Sequence, residues 1–274
     1  DLSLPPASLT KIMTSYVLAE EVDAGRASLD DMIKVSRNAW SQNPTFKGSS
    51  LMWIEPGKPV SLADLERGVV ISSGNDASVA VAEHLAATES SFVDVMNQLA
   101  AELGLDNTVY RNPHGLPHPE HRTTARDLAT LSVALINGHP EHYKIYKEQS
   151  FTYNGIKQYN RNSLLRSDAT VDGLKTGYTS EAGYGLVASA QREDMRLVSV
   201  VLGSASERTR AFENSSLLNY GFRFFQNLRP LSAEVTLVEP RVWKGAAESL
   251  HAGVMEPVVL TVPRERTAAD IKLT

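Results

Sequence analysis

The spacing of apolar residues divides the chain into a helical first half and a strand-rich second half. Helical spacing predicts helices over residues 7–24, 61–72, 76–87, 91–103, 125–136 and 206–226. Apolar runs containing β-branched residues predict strands over 184–190, 196–203, 234–238 and 258–262. The polar residues 191–194 join the first two runs, so these predict an antiparallel hairpin.

Helix-start signals support two of these segments. Ser61 and Thr124 each precede an apolar helical pattern and are each followed three residues later by an aspartate, Asp64 and Asp127. This spacing is typical of helix N-termini, and we expect Asp127 to act as a capping residue.

The order of elements predicts an α/β (α+β) fold in which an antiparallel sheet is flanked by helices and a helical subdomain is inserted between Ser8 and Lys175. From residue 229 the pattern changes to short alternating segments interrupted by Pro and Gly. We therefore predict a catalytic domain over 1–228 and part of a small β domain over 229–274.

Composition narrows the range of functions. The chain has 274 residues, 42% hydrophobic residues and a net charge of −5, which is typical of an ordinary globular protein. Because no Lys/Arg block is present, nucleic acid is not an expected partner. The absence of cysteine excludes disulfides and thiolate chemistry.

Three short motifs occur in one order, namely Ser8-Leu9-Thr10-Lys11, Ser73-Gly74-Asn75 and Lys175-Thr176-Gly177. A serine hydroxyl is a weak nucleophile at neutral pH and needs an adjacent base. Ser8 and Lys11 are three residues apart on a predicted helix, so they share one face. The motifs together indicate a serine acyl-transfer site.

The remaining motif residues have matching chemical roles. Lys11 can act as a base only if its pKa is lowered by burial or by a second nearby cation, and Lys175 is the expected cation. Ser73 would relay a proton to the leaving amine, while Asn75 would orient Lys11 and hold the substrate amide. Taken singly, Ser8 also fits a helix cap, Asn75 a turn residue and Lys175 a solvated charge.

Several segments closely resemble the type-5 low-molecular-mass penicillin-binding proteins, which are periplasmic serine D-alanyl-D-alanine carboxypeptidases of bacteria. The resemblance extends over about residues 3–228 and continues more weakly to the end. The segments that carry it are PASLTKIMTSYVL (6–18), NPTFKGSSLMW (43–53), SGNDASVAVAEH (73–84), HGL (114–116), YNRNSLL (159–165) and VDGLKTGYTSEAGYGLVASA (171–190).

The resemblance implies a transpeptidase-like fold and removal of the terminal D-alanine from peptidoglycan stem pentapeptides through an acyl-enzyme on Ser8. β-Lactams would acylate the same serine. It implies a periplasmic location facing the cell wall, with a signal peptide and a membrane anchor in the full-length protein that are absent from this sequence. No cofactor is expected.

Further binding residues follow from this resemblance. The backbone N–H groups of Ser8 and Tyr178 would form the oxyanion hole, and many relatives have histidine in place of Tyr178. A terminal carboxylate needs a cation and hydroxyl donors, for which Thr176, Thr179 and Arg210 are candidates. Arg161 either positions the loop beside the Lys175 strand or forms a structural ion pair.

Five histidines invite a metal hypothesis, namely His114, His118, His121, His139 and His142. The first three lie in a segment interrupted by Pro and Gly, and no H-E-x-x-H motif is present. We therefore expect these histidines to be exposed and no metal to be bound.

Two alternative functions share the motifs. A class A serine β-lactamase would need a glutamate in an E-x-x-L-N motif between Asn75 and Lys175, and none occurs there. A noncatalytic wall-binding or β-lactam-sensing protein would not require the complete set of reactive side chains.

Overall fold

The computed structural model describes residues 2–233 and 235–272. Its helices are α1 (Lys11–Asp23), α2 (Leu62–Val70), α3 (Asn75–Ala86), α4 (Glu89–Glu102), α5 (Ala125–Gly138), α6 (Pro140–Tyr143), α7 (Leu164–Ser167) and α8 (Glu207–Phe224). The predicted helix over 7–24 consists of a 3-10 turn, Ala7–Thr10, followed directly by α1.

The strands are β1 (Met32–Ile33), β2 (Val60–Ser61), β3 (Ser150–Tyr153), β4 (Ile156–Tyr159), β5 (Val171–Thr179), β6 (Gly183–Arg192), β7 (Met195–Ser204), β8 (Phe225–Leu231), β9 (Thr236–Val238), β10 (Ala252–Gly253) and β11 (Val258–Pro263). Among the described residues, β5, β6 and β7 form a three-stranded sheet in that order. The mixed helix and sheet architecture and the hairpin joining β6 to β7 are as predicted.

Helix α1 is the central element of the first compact unit. Every residue from Lys11 to Ala19 is buried, which identifies α1 as a helix enclosed on all sides. It contacts α2, α3, α4 and α5 as well as β5. This burial holds the start of α1 in a fixed position relative to β5.

Two helix starts confirm the capping signals. The side chains of Ser61 and Thr124 accept hydrogen bonds from the backbone N–H groups of Asp64 and Asp127, respectively. The capping role expected for Asp127 itself is wrong. Its carboxylate accepts instead from Asn107 N (3.0 Å) and from the hydroxyl of Thr108 (2.7 Å).

Cα proximity separates two compact units, residues 1–191 with 198–218 and residues 192–197 with 219–274. The predicted domain boundary between residues 228 and 229 stays a prediction. In the second unit β8 pairs antiparallel with β11, and β9 with β10. There Asp194 also forms an ion pair with Arg229 at 2.6 Å.

The last predicted helix extends two residues too far at its C-terminal end, because α8 ends at Phe224 and Phe225 begins β8, and it begins one residue too early. The predicted strand over 234–238 is observed only as β9, and Glu234 lies outside the described residues. Within the described ranges, no helix has both the length and the apolar character needed to cross a membrane.

Candidate active site

Ser8 lies in the 3-10 turn that leads into α1, at the edge of a cavity of about 610 Å³. Two glycines allow backbone to approach this turn closely. A Cβ on Gly115, where φ is +87°, would lie 1.8 Å from the carbonyl oxygen of Ala7. A Cβ on Gly177 in β5 would lie 3.0 Å from that of Pro6. The turn that holds the candidate nucleophile is thus fixed from two sides.

Lys11, the first residue of α1, is fully buried. Its Nζ lies 3.1 Å from Ser8 Oγ, 2.7 Å from Asn75 Oδ1 and 2.6 Å from the His114 carbonyl oxygen. A neutral amine has two N–H donors and one lone pair. The two shorter contacts accept both N–H bonds, so the lone pair is left to accept the hydrogen of the Ser8 hydroxyl.

The pKa of Lys11 is lowered from 10.5 to about 7, mainly by burial and also by the Arg161 charge, while the Asp76 carboxylate acts in the opposite direction. Of the two causes expected, burial is therefore the main one, and the cation that acts on the Lys11 pKa is Arg161, whereas the interaction between the two lysines lowers the pKa of Lys175. A lysine with this pKa is about half neutral at pH 7 and can accept a proton from serine.

Lys175 lies within β5, and its Nζ donates to Ser73 Oγ at 2.9 Å and to the Thr176 carbonyl oxygen at 3.2 Å. Burial lowers the pKa of Lys175 well below its ordinary value, and the charge of Lys11 adds to this effect. Ser73 lies between α2 and α3 with a φ of +57°. The second and third motifs are therefore joined through one hydroxyl.

Asn75 begins α3 and connects the first motif to a loop. Its Oδ1 accepts from Lys11, and its Nδ2 donates to Ser49 Oγ at 2.8 Å. The next residue, Asp76, is buried and accepts four backbone N–H bonds, three of them from residues 52–54. The start of α3 thus holds both Lys11 and the loop at the cavity wall.

The end of β5 and α8 supply the candidate carboxylate-binding groups. Arg210 is buried, and its Nη1 donates to the Gly177 carbonyl oxygen at 3.2 Å. Thr176 and Thr179 also line the cavity, and Thr179 Oγ1 accepts from Ala182 N at 3.0 Å. The structure therefore brings these three candidates together with Ser8.

Tyr178 is 53% exposed at the cavity edge. It is directly opposite Tyr184 on β6, and the two rings stack with centroids 4.2 Å apart. The Arg210 guanidinium lies 5.4 Å from the centre of the Tyr184 ring. The side chain of Tyr178 is therefore held beside the opening.

Arg161 lines the same cavity and donates to Ser50 Oγ. Among the described residues it forms no salt bridge, so the structural ion pair considered above is not observed. Its charge acts instead on the pKa values of Lys11 and Lys175.

Four of the five histidines are buried, so the expectation of exposure is wrong for all of them except His118. His114 and His121 pack beside the turn that carries Ser8, where burial lowers both pKa values. His139 and His142 pair with carboxylates of α1 and α2. Over the described part of the chain, no group of three His, Asp or Glu side chains has a metal-binding arrangement.

Several residues of the site were not predicted from the sequence. Ser49 and Ser50 occur in the segment NPTFKGSSLMW, which contributed to the resemblance but was assigned no role. The carbonyl of His114 contacts Lys11 through its backbone, which no side-chain pattern encodes. Tyr184 and Glu207 also line the cavity.

The geometry defines a class of site: a serine hydroxyl beside a buried lysine that an asparagine orients, and a second buried lysine beside another serine hydroxyl, with both serines and the asparagine lining one cavity. Residues 1–206 match the peptidase S11 family, D-alanyl-D-alanine carboxypeptidases. The chain belongs to this family.

Individual relatives agree with this assignment. The chain is 49% identical over 266 residues to D-alanyl-D-alanine carboxypeptidase DacC of Escherichia coli, covering 96% of this chain and 66% of that protein. It is similar to the crystal structure of penicillin binding protein 5 from Haemophilus influenzae, with a TM-score of 0.90, 43% identity and coverage of 96% and 77%. The predicted transpeptidase-like fold is thus confirmed.

A more distant structure carries a β-lactam. Penicillin-Binding Protein D2 from Listeria monocytogenes, in its cefotaxime-bound form, matches with a TM-score of 0.73, 31% identity and coverage of 81% and 89%. The chain spans just under two thirds of the length of the first curated relatives.

Proposed function

We propose that this protein is a serine-type D-Ala-D-Ala carboxypeptidase that removes the terminal D-alanine from peptidoglycan stem pentapeptides. The observation that carries the proposal is the contact of Ser8 Oγ with the Nζ of a buried lysine whose pKa is near 7. Family membership supports the choice of substrate. The proposal includes a periplasmic location and, in the full-length protein, peripheral association with the inner membrane.

In the acylation step, neutral Lys11 takes the hydroxyl proton of Ser8 while Oγ attacks the carbonyl carbon of the penultimate D-alanine. The backbone N–H groups of Ser8 and Tyr178 stabilise the oxyanion. The C–N bond then breaks, and the proton that Lys11 took from Ser8 passes through Ser73, which contacts Lys175, to the leaving amine, so that Lys11 is neutral again. Terminal D-alanine departs and an ester remains on Ser8.

In the second step a water molecule attacks this ester, and the proton it loses returns to the Ser8 oxygen as the C–O bond breaks. Arg210, Thr176 and Thr179 hold the terminal carboxylate of the substrate before the first step. A β-lactam follows the same acylation path, but its ring nitrogen remains attached to the acyl group. β-Lactams are therefore proposed covalent inhibitors.

The first test is intact mass measurement after incubation with penicillin, followed by peptide mapping. One penicillin adduct on Ser8 is expected, together with D-alanine release from a peptide ending in D-Ala-D-Ala. Ser8→Ala should abolish both. Ser163→Ala is a matched control, because this exposed serine makes no side-chain capping bond.

Other outcomes discriminate among the functions. Unmodified protein with hydrolysed penicillin would indicate a β-lactamase. Unmodified protein with intact penicillin and no D-alanine release would refute the carboxypeptidase proposal in favour of a noncatalytic role.

A further inference from the structure

The two terminal nitrogens of the Arg210 guanidinium have different partners: one donates to backbone carbonyl oxygens, and the other faces Glu207. Its Nη1 donates to the Gly177 carbonyl oxygen at 3.2 Å and to that of Gly185 at 3.5 Å. Its Nη2 lies 3.8 Å from Glu207 Oε1. An incoming carboxylate would therefore approach the nitrogen that Glu207 already faces.

The position of Glu207 on α8 accounts for this proximity. Glu207 is the first residue of the helix, and Arg210 follows three residues later on the same face. Ser206 Oγ accepts from Thr209 N at 3.0 Å, which fixes the start of the helix. The Glu207 side chain is 72% exposed and lines the cavity that contains Ser8.

The Glu207 carboxylate lies in a cavity whose other charged side chains are cationic, among the residues that the structure describes. Among the described residues that line it, Lys47, Arg161 and Arg210 are cationic, whereas Glu207 supplies the carboxylate. Burial lowers the pKa of both guanidinium groups, and the charge of Glu207 opposes that effect in each case. Glu207 therefore acts electrostatically on the two arginines that face the cavity.

We propose that Glu207 is a specificity-determining residue, which competes with the terminal carboxylate of the substrate for Arg210. The inference rests on the proposed function, because the D-Ala-D-Ala peptide supplies that carboxylate. Two carboxylates beside one guanidinium nitrogen repel each other, so the pair must separate or share the cation when the substrate binds. Glu207 thus weakens binding of carboxylate-terminated ligands but not of neutral ones.

The test measures equilibrium binding in the Ser8→Ala chain, which removes turnover from the readout. Two probes are used: a Lys-D-Ala-D-Ala tripeptide with both lysine amines acetylated, and the same peptide with a C-terminal amide. Adding Glu207→Gln should tighten binding of the carboxylate peptide about two- to fivefold, the range typical of an exposed ion pair, and leave the amide unchanged. The gain should shrink as salt is added.

Glu213→Gln is the matched control, because Glu213 is exposed on the same helix about 9 Å further along its axis. It should change neither affinity. Thermal unfolding of each variant verifies that the fold is retained.

An unchanged ratio of the two affinities, weaker binding of the carboxylate peptide after Glu207→Gln, or no binding of either peptide would overturn the inference. Failure of the proposed function is separate: it would appear as absent acylation and D-alanine release in the parent chain, whatever the binding ratio.

Discussion

The rate of acylation of Ser8 should follow the titration of Lys11. Only the neutral amine can accept the serine proton, so acid suppresses the reaction and alkali promotes it. Burial lowers the pKa of Lys11 to about 7, and the Arg161 cation contributes to this shift. The neutral fraction then rises from about 9% at pH 6 to about 91% at pH 8.

This change sets the expected magnitude. The second-order rate constant for acylation by a fluorescent penicillin should rise about tenfold between pH 6 and pH 8 and then level off. A lysine with the ordinary pKa would behave differently, since its neutral fraction grows about tenfold for each pH unit up to about pH 10. Stopped-flow or gel-based labelling across pH 5.5–10 distinguishes the two profiles.

Arg161→Gln provides the perturbation, because it removes a cation that disfavours protonation of Lys11. The midpoint of the profile should move to higher pH. Arg26→Gln is the control: Arg26 is exposed beyond the far end of α1, about 18 Å or more from Lys11 along the helix axis. At that separation an exposed charge is largely screened, so the midpoint should not move.

A rate that is flat from pH 6 to pH 8, or that still climbs tenfold per pH unit above pH 8, would refute the role of Lys11 as a base with a pKa near 7. A midpoint that is unchanged in Arg161→Gln would refute the electrostatic part alone.

Three other perturbations test the scaffold of the site. Gly115→Ala should destabilise the fold by about 2–4 kcal/mol and slow penicillin labelling, because its Cβ would overlap the Ala7 carbonyl. Asp76→Asn should cost about 2–4 kcal/mol in urea unfolding, because an amide nitrogen cannot accept the N–H bonds that the carboxylate accepts. Glu66→Gln should destabilise the fold more at pH 5.5 than at pH 8.5. Burial lowers the pKa of His142, but the hydrogen bond and the charge of Glu66 raise it by more, so the net pKa is raised. The stabilisation by the His142–Glu66 pair is therefore complete below pH 6.5 and is lost above the raised pKa.

Matched substitutions separate specific effects from general ones. Gly104→Ala has a similar positive φ but nothing within 4 Å of its Cβ, so it should cost only about 1 kcal/mol. Asp64→Asn lies in the first turn of α2, where a small effect is expected. Glu55→Gln removes an exposed ion pair with Lys58 and should show little dependence on pH. Equal effects within any pair would contradict the assigned cause.

Local patterns were sufficient for the helices that carry the first two motifs. The Ser8 to Lys11 spacing needs only a helix start, and Asn75 begins a helix predicted from residue 76, whereas the strand β5 that carries Lys175 is almost wholly buried, lacks a clear alternation and was not among the predicted strands. The contacts that each group makes could not be predicted in this way. Asp127 was expected to cap its own helix, yet its partner Thr108 lies 19 residues earlier. Local sequence does not encode such a contact.

The pKa shifts in the site could not be predicted for the same reason, because they depend on residues that are distant in the sequence. Arg161, 150 residues after Lys11 in the chain, contributes to the Lys11 pKa through space, and no motif links the two positions. The burial of His114 and of His142 depends on helices packed from distant segments. Motif spacing therefore indicates which groups react, whereas tertiary packing determines their protonation.

The site is built at a cost in stability. A lysine whose pKa falls from 10.5 in the unfolded chain to about 7 in the fold opposes folding by about 4 kcal/mol at pH 7. The sign follows from proton binding: the unfolded state holds more protons, so this penalty declines as the pH rises toward 10.5. Lys175 adds a second buried amine with a lowered pKa. The enclosure of α1 on all sides offsets these penalties through apolar burial, and the same enclosure removes the water that would keep Lys11 protonated. Core packing and base chemistry therefore depend on one feature of the fold.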